Sequence, residues 1–177
     1  CIRDRHTAVD VPGLTDVLCG ASRPGHFRGV TTVVSKLLGI VRPHVAAFGA
    51  KDLQQVLVIK KMVRDLSINT EIEVVPTVRE SDGLAMSSRN GYLSHDERAL
   101  APLFSRTLEE TAKRVAESGS DIKTVIAEGE AILTEAGFVV DYLEARHTYD
   151  LSEASSLNQE TALFGAAFLG TTRLIDN

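Results

Sequence analysis

Residues 45–78, VAAFGAKDLQQVLVIKKMVRDLSINTEIEVVPTV, decide the fold class. Val45-Ala46-Ala47-Phe48 is an apolar run stopped by Gly49, too short for a helix, and it predicts a buried strand. From Asp52 the period changes. Leu53, Val56, Leu57, Ile59, Met62 and Val63 recur every three or four positions and predict a helix to Leu66 with one broad buried face. Glu71 to Val78 is rich in β-branched residues and predicts a second strand, closed by the polar turn Arg79–Gly83. Strand, crossover helix and strand imply parallel pairing, with ligands at the carboxyl ends of the strands.

Upstream of this unit, Ala8 to Val11 predicts a short strand. Val30, Val33, Val34, Leu37, Leu38 and Val41 share one helical face between Gly29 and Pro43, and the valines are expected to be core. Downstream the pattern differs. Ser94 and Glu97 have capping-box spacing and open a helix of about twenty residues through Leu100, Leu103, Leu108 and Val115. Ser120 caps a further helix reaching Glu135, with Gly137 just past its end. Phe138 to Ala145, Thr161 to Leu169 and Thr172 to Ile175 read as strands, so this part is a small α+β layer with an antiparallel sheet. Charge divides at the same place. Residues 1–78 carry ten basic and seven acidic side chains, a balance of +3, and residues 79–177 carry nine and seventeen, a balance of −8. Two domains, 1–78 and 79–177, are expected.

The 177 residues are 44% hydrophobic and 24% charged, which excludes an intrinsically disordered chain. No apolar run approaches the roughly 18 residues of a membrane span, so no membrane partner is expected. The first part is only mildly basic and poor in aromatics, which argues against a nucleic-acid surface. Cys1 and Cys19 lack the spacing of a zinc site or disulfide framework and suit a reducing, cytoplasmic setting. His6, His44, His95 and His147 stand singly, so no protein-held metal is expected. The opening Cys1-Ile2-Arg3-Asp4-Arg5 carries no helix start signal and reads as the interior of a longer chain.

Three stretches can carry chemistry. In Phe48-Gly49-Ala50-Lys51-Asp52-Leu53-Gln54-Gln55, a strand turns into a helix. Gly49 lets the backbone approach a ligand there, helix-start N–H groups attract anions, and Lys51 adds a full charge. Asp52 and Gln55 fall on the same side of the helix as hydrogen-bonding groups, although Asp52 can equally be a helix cap. In Met86-Ser87-Ser88-Arg89-Asn90-Gly91, two hydroxyls beside a guanidinium suit phosphate oxygens, against the plainer reading of a solvated turn. Arg23-Pro24-Gly25-His26-Phe27-Arg28-Gly29 either meets an anion or packs His26 and Phe27 in a turn. P-loop, dinucleotide-binding, nucleophile-elbow and zincin motifs are absent.

In this order, and with Gly20-Ala21-Ser22-Arg23-Pro24-Gly25-His26-Phe27 before them, Asp82 to Leu93 around the serines and Arg173-Leu174-Ile175-Asp176-Asn177 at the end, the stretches resemble the pantothenate synthetase family. The resemblance implies an α/β chain: the second half of a Rossmann-like nucleotidyltransferase domain over 1–78, then a small α+β lid domain over 79–177. It implies ATP-dependent condensation of pantoate with β-alanine through a pantoyl adenylate, with ATP, Mg2+ and those two acids as ligands, in a cytoplasmic homodimer. Carried over, Gly49, Ala50, Lys51, Asp52, Val78, Met86, Ser87, Ser88 and Arg89 meet ATP, with Lys51 and Arg89 catalytic. Gln55, Val30, Val33, Val34 and Leu37 meet pantoate. The chain departs from the family pattern at Ala50, usually Glu, and at Leu53, usually aromatic. It also contains no His-x-Gly-His. It matches the later part of the family's length, so the 177 residues alone are expected to be inactive. The competing expectation is a non-catalytic remnant or interaction module that keeps half a nucleotide pocket.

Overall fold

The computed structural model describes residues 6–118 and 121–177, which divide into two compact units, Cys1–Pro76 and Thr77–Asn177. In the first unit, a short helix α1 (Cys19–Ser22) leads to α2 (His26–Val41), β1 (Val45–Gly49), a 3-10 turn (Ala50–Asp52), α3 (Leu53–Asp65) and β2 (Glu71–Val75). β1 and β2 pair in parallel, from Val45 opposite Glu71 to Gly49 opposite Val75. The crossover predicted from the change of period is therefore present. α3 supplies the core through Val56, Val58, Ile59 and Met62, each at most 1% exposed. Burying such a side chain stabilises the fold by about 1.5–3 kcal/mol.

Three sequence expectations fail in this unit. β2 stops at Val75 rather than Val78 because Pro76 has no N–H to extend the ladder. Ala8 to Val11 forms no strand: the Val9 N–H donates to Thr32 Oγ1 and the Val9 carbonyl accepts from Thr31 Oγ1, so its backbone groups are used by side chains of α2. The valines of α2 are also not its buried residues, and of the face they share only Leu38 is buried. Phe27, Thr31, Thr32 and Leu38 are buried, whereas Val30, Val33 and Val34 are half-buried and Leu37 and Val41 are exposed. The threonines tolerate burial because their hydroxyls donate to helix carbonyls of Phe27 and Arg28.

The second unit opens with a tight turn. The Glu80 N–H donates to the Leu84 carbonyl, the Gly83 N–H returns to the Glu80 carbonyl, and Gly83 has φ 92°. A 3-10 turn (Ser88–Tyr92) precedes α4 (His95–Leu100), α5 (Pro102–Ser118), α6 (Ile122–Glu135) and strands β3 (Val139–His147), β4 (Thr161–Leu169) and β5 (Thr172–Asp176). The Ser94–Glu97 capping box forms as expected. The single long helix does not: it breaks at Ala101, where Pro102 cannot donate its backbone hydrogen bond. Ser120 lies outside the described residues, and α6 is capped by Asp121, whose carboxylate accepts from the Thr124 N–H.

The sheet runs antiparallel in the order β3-β4-β5, with a register shift between Val140 and Tyr142. Its buried face and the helices enclose Phe104, Leu108, Val125, Leu133, Phe138, Leu143 and Leu163. Gly165 lets α5 approach β4 closely, since a Cβ there would lie 2.8 Å from Leu108 Cδ2.

Candidate functional site

In the first unit, Gly49 ends β1 at its carboxyl edge, and Ala50, Lys51 and Asp52 form the 3-10 turn that delivers the chain into α3. Gly49 is extended, φ −74° and ψ 134°, so its backbone shape does not demand glycine. What its missing side chain leaves is open space, for a Cβ built there meets nothing within 4 Å. Lys51 is half-buried and Asp52 exposed. Asp52 occupies the N-cap position of α3, yet its side chain makes no capping bond. The carboxylate is thus outward on the first turn, where a ligand hydroxyl can reach it. Gln55, half-buried, begins the next turn.

The neighbouring residue was not singled out by sequence, and it is the better anchored. Gln54 is 5% exposed. Its Nε2 donates to the Leu14 and Val17 carbonyls at 2.9 and 2.8 Å, and its Oε1 accepts from the Cys19 N–H at 3.1 Å. A polar residue inside an otherwise apolar helical face was the available signal. Val30, Val33, Val34 and Leu37 lie on α2, which packs against α3.

The second unit holds the other predicted residues. Val78 and Met86 flank the tight turn, with the Met86 N–H donating to the Val78 carbonyl at 2.9 Å and both side chains exposed. Ser87 is extended and its Oγ accepts from the Arg89 N–H at 3.2 Å, so one of its lone pairs shapes the loop while its O–H remains a donor. Ser88 and Arg89 are exposed on the 3-10 turn.

This loop is braced by charges that sequence reading did not identify. Asn90, 9% exposed, donates to Glu80 Oε1 at 2.8 Å and to the Ala85 carbonyl at 3.2 Å. Arg98 of α4 bridges Glu80 at 2.9 Å and Asp82 at 2.6 Å. Hydrogen bonds from Asn90 and then Arg98 hold the Glu80 carboxyl below its usual range, and Arg98 does the same for Asp82. At the other end of the turn, Arg79 grips Asp176 of β5 through two bonds of 2.6 and 2.9 Å. Asp176 is 4% exposed and also accepts from Ser105 Oγ at 2.7 Å and its neighbour's N–H at 2.9 Å. That assigns a structural task to the Arg173–Asn177 stretch, which sequence alone left without one. A cleft of about 890 Å3 beside this pair, lined by Ser105, Leu108, Ala112, Leu163 and Asp176, includes none of the predicted site residues.

The predicted polar site residues of each unit stand at turns beside the ends of regular elements: Lys51, Asp52 and Gln55 in the first, Ser87, Ser88 and Arg89 in the second. None of the predicted site residues is set up as a nucleophile beside a base. Such an arrangement orients and neutralises phosphate and carboxylate oxygens. Among the described residues, no group of three or more His, Cys, Asp or Glu stands close enough to hold a metal ion, and no helix is long and apolar enough to cross a membrane.

Comparison with known proteins leads in the same direction. Residues 3–177 match the family model described as pantoate-beta-alanine ligase. A pantothenate synthetase from Shewanella loihica is 54% identical over 98% of this chain and 61% of its own length, and one from Hahella chejuensis is 52% identical over 98% and 62%. The crystal structure of pantothenate synthetase from Thermus thermophilus superimposes with a TM-score of 0.91 at 42% identity, covering 99% of this chain and 64% of that one. A pantoate-beta-alanine ligase from Francisella tularensis, complexed with beta-gamma ATP and beta-alanine, gives a TM-score of 0.72 at 33% identity, covering 96% and 57%. The chain thus spans about 61% of the length of the Shewanella relative. With its fold, its ordered motifs and a family match over nearly its whole length in agreement, the chain belongs to the pantoate–β-alanine ligase family.

Proposed function

We propose that the protein to which this chain belongs condenses pantoate with β-alanine at the expense of ATP. The pantoate carboxylate attacks the α-phosphorus of ATP, the α–β phosphoanhydride bond breaks, and pantoyl adenylate and pyrophosphate form. The β-alanine amine then attacks the activated carbonyl, AMP departs with the carboxyl-derived oxygen, and the amine proton is released. Neither step needs a protein nucleophile, which suits turns built of Lys, Ser, Arg and backbone amides. The observation that carries the reading is the Lys51–Asp52 turn at the carboxyl end of β1, within a chain of this family.

In this reading Gly49 and Ala50 present backbone to the nucleotide, and Lys51 offsets triphosphate charge in ground and transition states. Asp52 accepts from the ribose. The Val78 backbone meets adenine, while Met86, Ser87, Ser88 and Arg89 cover the phosphates, with Arg89 joining Lys51 in stabilising charge that develops on them. Gln55 and the half-open face of Val30, Val33, Val34 and Leu37 hold pantoate, the amide to its polar groups and the aliphatics to its methyls. Mg2+ enters as part of the nucleotide substrate, carried on its phosphates. Residues 1–78 and 79–177 act as the nucleotide-binding part and the lid, in a cytoplasmic homodimer.

Pantoate-dependent exchange of pyrophosphate into ATP by the whole protein to which this chain belongs tests the assignment. Lys51→Ala should lower the exchange rate by about a hundredfold, the usual cost of one preorganised donor. Gln55→Ala should raise the KM for pantoate and leave that for ATP within about twofold. Equal weakening of both substrates by Gln55→Ala would overturn the residue assignment, and exchange independent of pantoate would overturn the substrate.

A further inference from the structure

We infer that Gln54 is a positioning residue for the acid-binding half of the site, acting through the segment Val9–Ser22. The inference rests on the assignment of Gln55 and the α2 valines to pantoate and adds what brings those two helices into a fixed relation.

Residues 9–22 form a strap with few backbone hydrogen bonds of its own. At one end it is tied to α2, where Thr31 and Thr32 hold the Val9 carbonyl and N–H. At the other end one side chain of α3, Gln54, takes three backbone groups of the strap at once: the Leu14 carbonyl, the Val17 carbonyl and the Cys19 N–H. Gln54 thereby uses both amide hydrogens and its carbonyl oxygen, and it is the polar member of α3's buried set. Val11, Leu14 and Leu18 bury their side chains beneath the strap.

The backbone held by Gln54 is one that would not persist unaided. Leu18 has φ 52° and ψ −126°, a conformation costly for any residue with a Cβ and maintained only where surrounding contacts over-determine it. Two residues later the chain turns so tightly that a Cβ at Gly20 would collide with the Thr15 carbonyl. Gly20 also donates to the Val17 carbonyl, the atom that Gln54 holds from the other side. From there the chain enters α1 and then, through Arg23–Gly25, the first turn of α2.

The strap consequently couples the two proposed walls of the pantoate pocket. Helical geometry turns Gln55 about 100° away from Gln54, so one glutamine can grip the strap while the next faces outward. Loss of the grip frees the strap's α3 end while its α2 end stays bonded to Thr31 and Thr32. The consequence is a looser placement of Val30, Val33 and Val34 relative to Gln55, felt by pantoate and not by ATP.

The test, made on the whole protein to which this chain belongs, combines amide exchange at Cys19 and Gly20 with pantoate-dependent pyrophosphate exchange. Gln54→Met removes both donors and the acceptor at similar length, and it should lose at least about tenfold of the Cys19 amide's protection while raising the pantoate KM roughly tenfold, with the ATP KM within about twofold. Gln55→Met should raise the same KM but leave Cys19 protection as in the wild type, which separates the strap from the pocket.

Should Gln54→Met fail to fold, Gln54→Glu decides. Its carboxylate faces two carbonyl oxygens and loses both donors at neutral pH, and on protonation it regains one donor. Strap protection and pantoate affinity should therefore recover together as pH falls, which a purely structural lesion does not do. Wild-type protection with a wild-type pantoate KM in the Gln54 variants overturns the inference. Strap loosening with no change in the pantoate KM overturns it too, because the residue is then structural only. If wild-type pyrophosphate exchange ignores pantoate while Cys19 is protected, the substrate assignment has failed and the positioning role falls with it.

Discussion

Replacing Arg79 by Leu should destabilise the second unit by about 3 kcal/mol. The Asp176 carboxylate side chain is 2% exposed and accepts four hydrogen bonds, two of them from the Arg79 guanidinium. The leucine leaves it with Ser105 Oγ and a backbone N–H, and with a charge that has lost its partner in a nearly dry site. Removing one member of a buried ion pair costs about 3–5 kcal/mol. The Arg79 side chain is itself 38% exposed, so water screens part of the interaction and the lower end applies. The same substitution removes the Nη1 bond to the Gly83 carbonyl that helps close the turn.

The assay is urea unfolding of Arg79→Leu, Asp176→Asn and the double variant. An asparagine keeps one oxygen to accept the backbone N–H while its amide group donates to the Ser105 hydroxyl, which turns to accept, and no charge is left buried, so the double variant should recover about 2 kcal/mol relative to Arg79→Leu alone. Amide exchange at Glu80 and Met86, whose N–H groups close the turn onto Leu84 and Val78, should accelerate in Arg79→Leu. A cost below about 1 kcal/mol, with no recovery in the double variant, would place this pair among ordinary surface ion pairs and refute the reasoning.

Two further outcomes follow from the same unit. A Cβ at Gly165 would lie 2.8 and 3.0 Å from the two Leu108 methyls, so Gly165→Ala should cost about 1–3 kcal/mol in urea unfolding, and Leu108→Ala in the same chain should relieve the strain part of that cost. Glu80 and Asp82 have carboxyls held below their ordinary range by Asn90 and Arg98 and by Arg98, so their stabilisation is present above the unfolded carboxylate range and is lost as pH falls through the depressed folded values. Exchange at the Leu84 and Asn90 amides, corrected for intrinsic rate, should therefore rise steeply at acid pH, and Arg98→Met should flatten that dependence; an unchanged pH profile in Arg98→Met would exclude the bridge as its cause.

The regular elements were readable wherever one local rule acted alone. The change from a run at Val45–Phe48 to a three- and four-residue period after Asp52 located β1 and α3, and the Ser94–Glu97 spacing located the start of α4. Misreadings arose where a proline or a side chain overrode the pattern. Pro76 shortened β2 and Pro102 split a helix that periodicity ran through. Ala8–Val11 has strand-like composition, but a strand requires a partner, and Thr31 and Thr32 took its backbone groups first. The valines of α2 looked like a core because hydrophobicity marks faces that bury; here the buried face includes two threonines whose hydroxyls are satisfied within the helix.

The site divided along the same line. Groups proposed to end on a ligand were legible as motifs, because Lys51, Ser88 and Arg89 carry their chemistry in their own side chains on turns. Groups that hold those turns in place were not, because their meaning lies in partners far away in sequence: Gln54 to residues 14–19, Arg79 to Asp176, Asn90 and Arg98 to Glu80. Each bracing residue lies next to or within about ten positions of one proposed to meet a ligand. A flexible cation on an unbraced turn must be ordered when substrate arrives, and that ordering is subtracted from binding. Bracing the turn from beneath shifts the cost into folding, where buried hydrogen bonds offset it. The second-unit loop shows the division most clearly: Ser87 spends one lone pair on the Arg89 N–H, Asn90 turns inward to Glu80 and Ala85, and Ser88 and Arg89 are left outward with their donors aimed at solvent. A loop built this way is preorganised in backbone and adjustable in side chain, which suits the role proposed for Ser88 and Arg89 over the triphosphate.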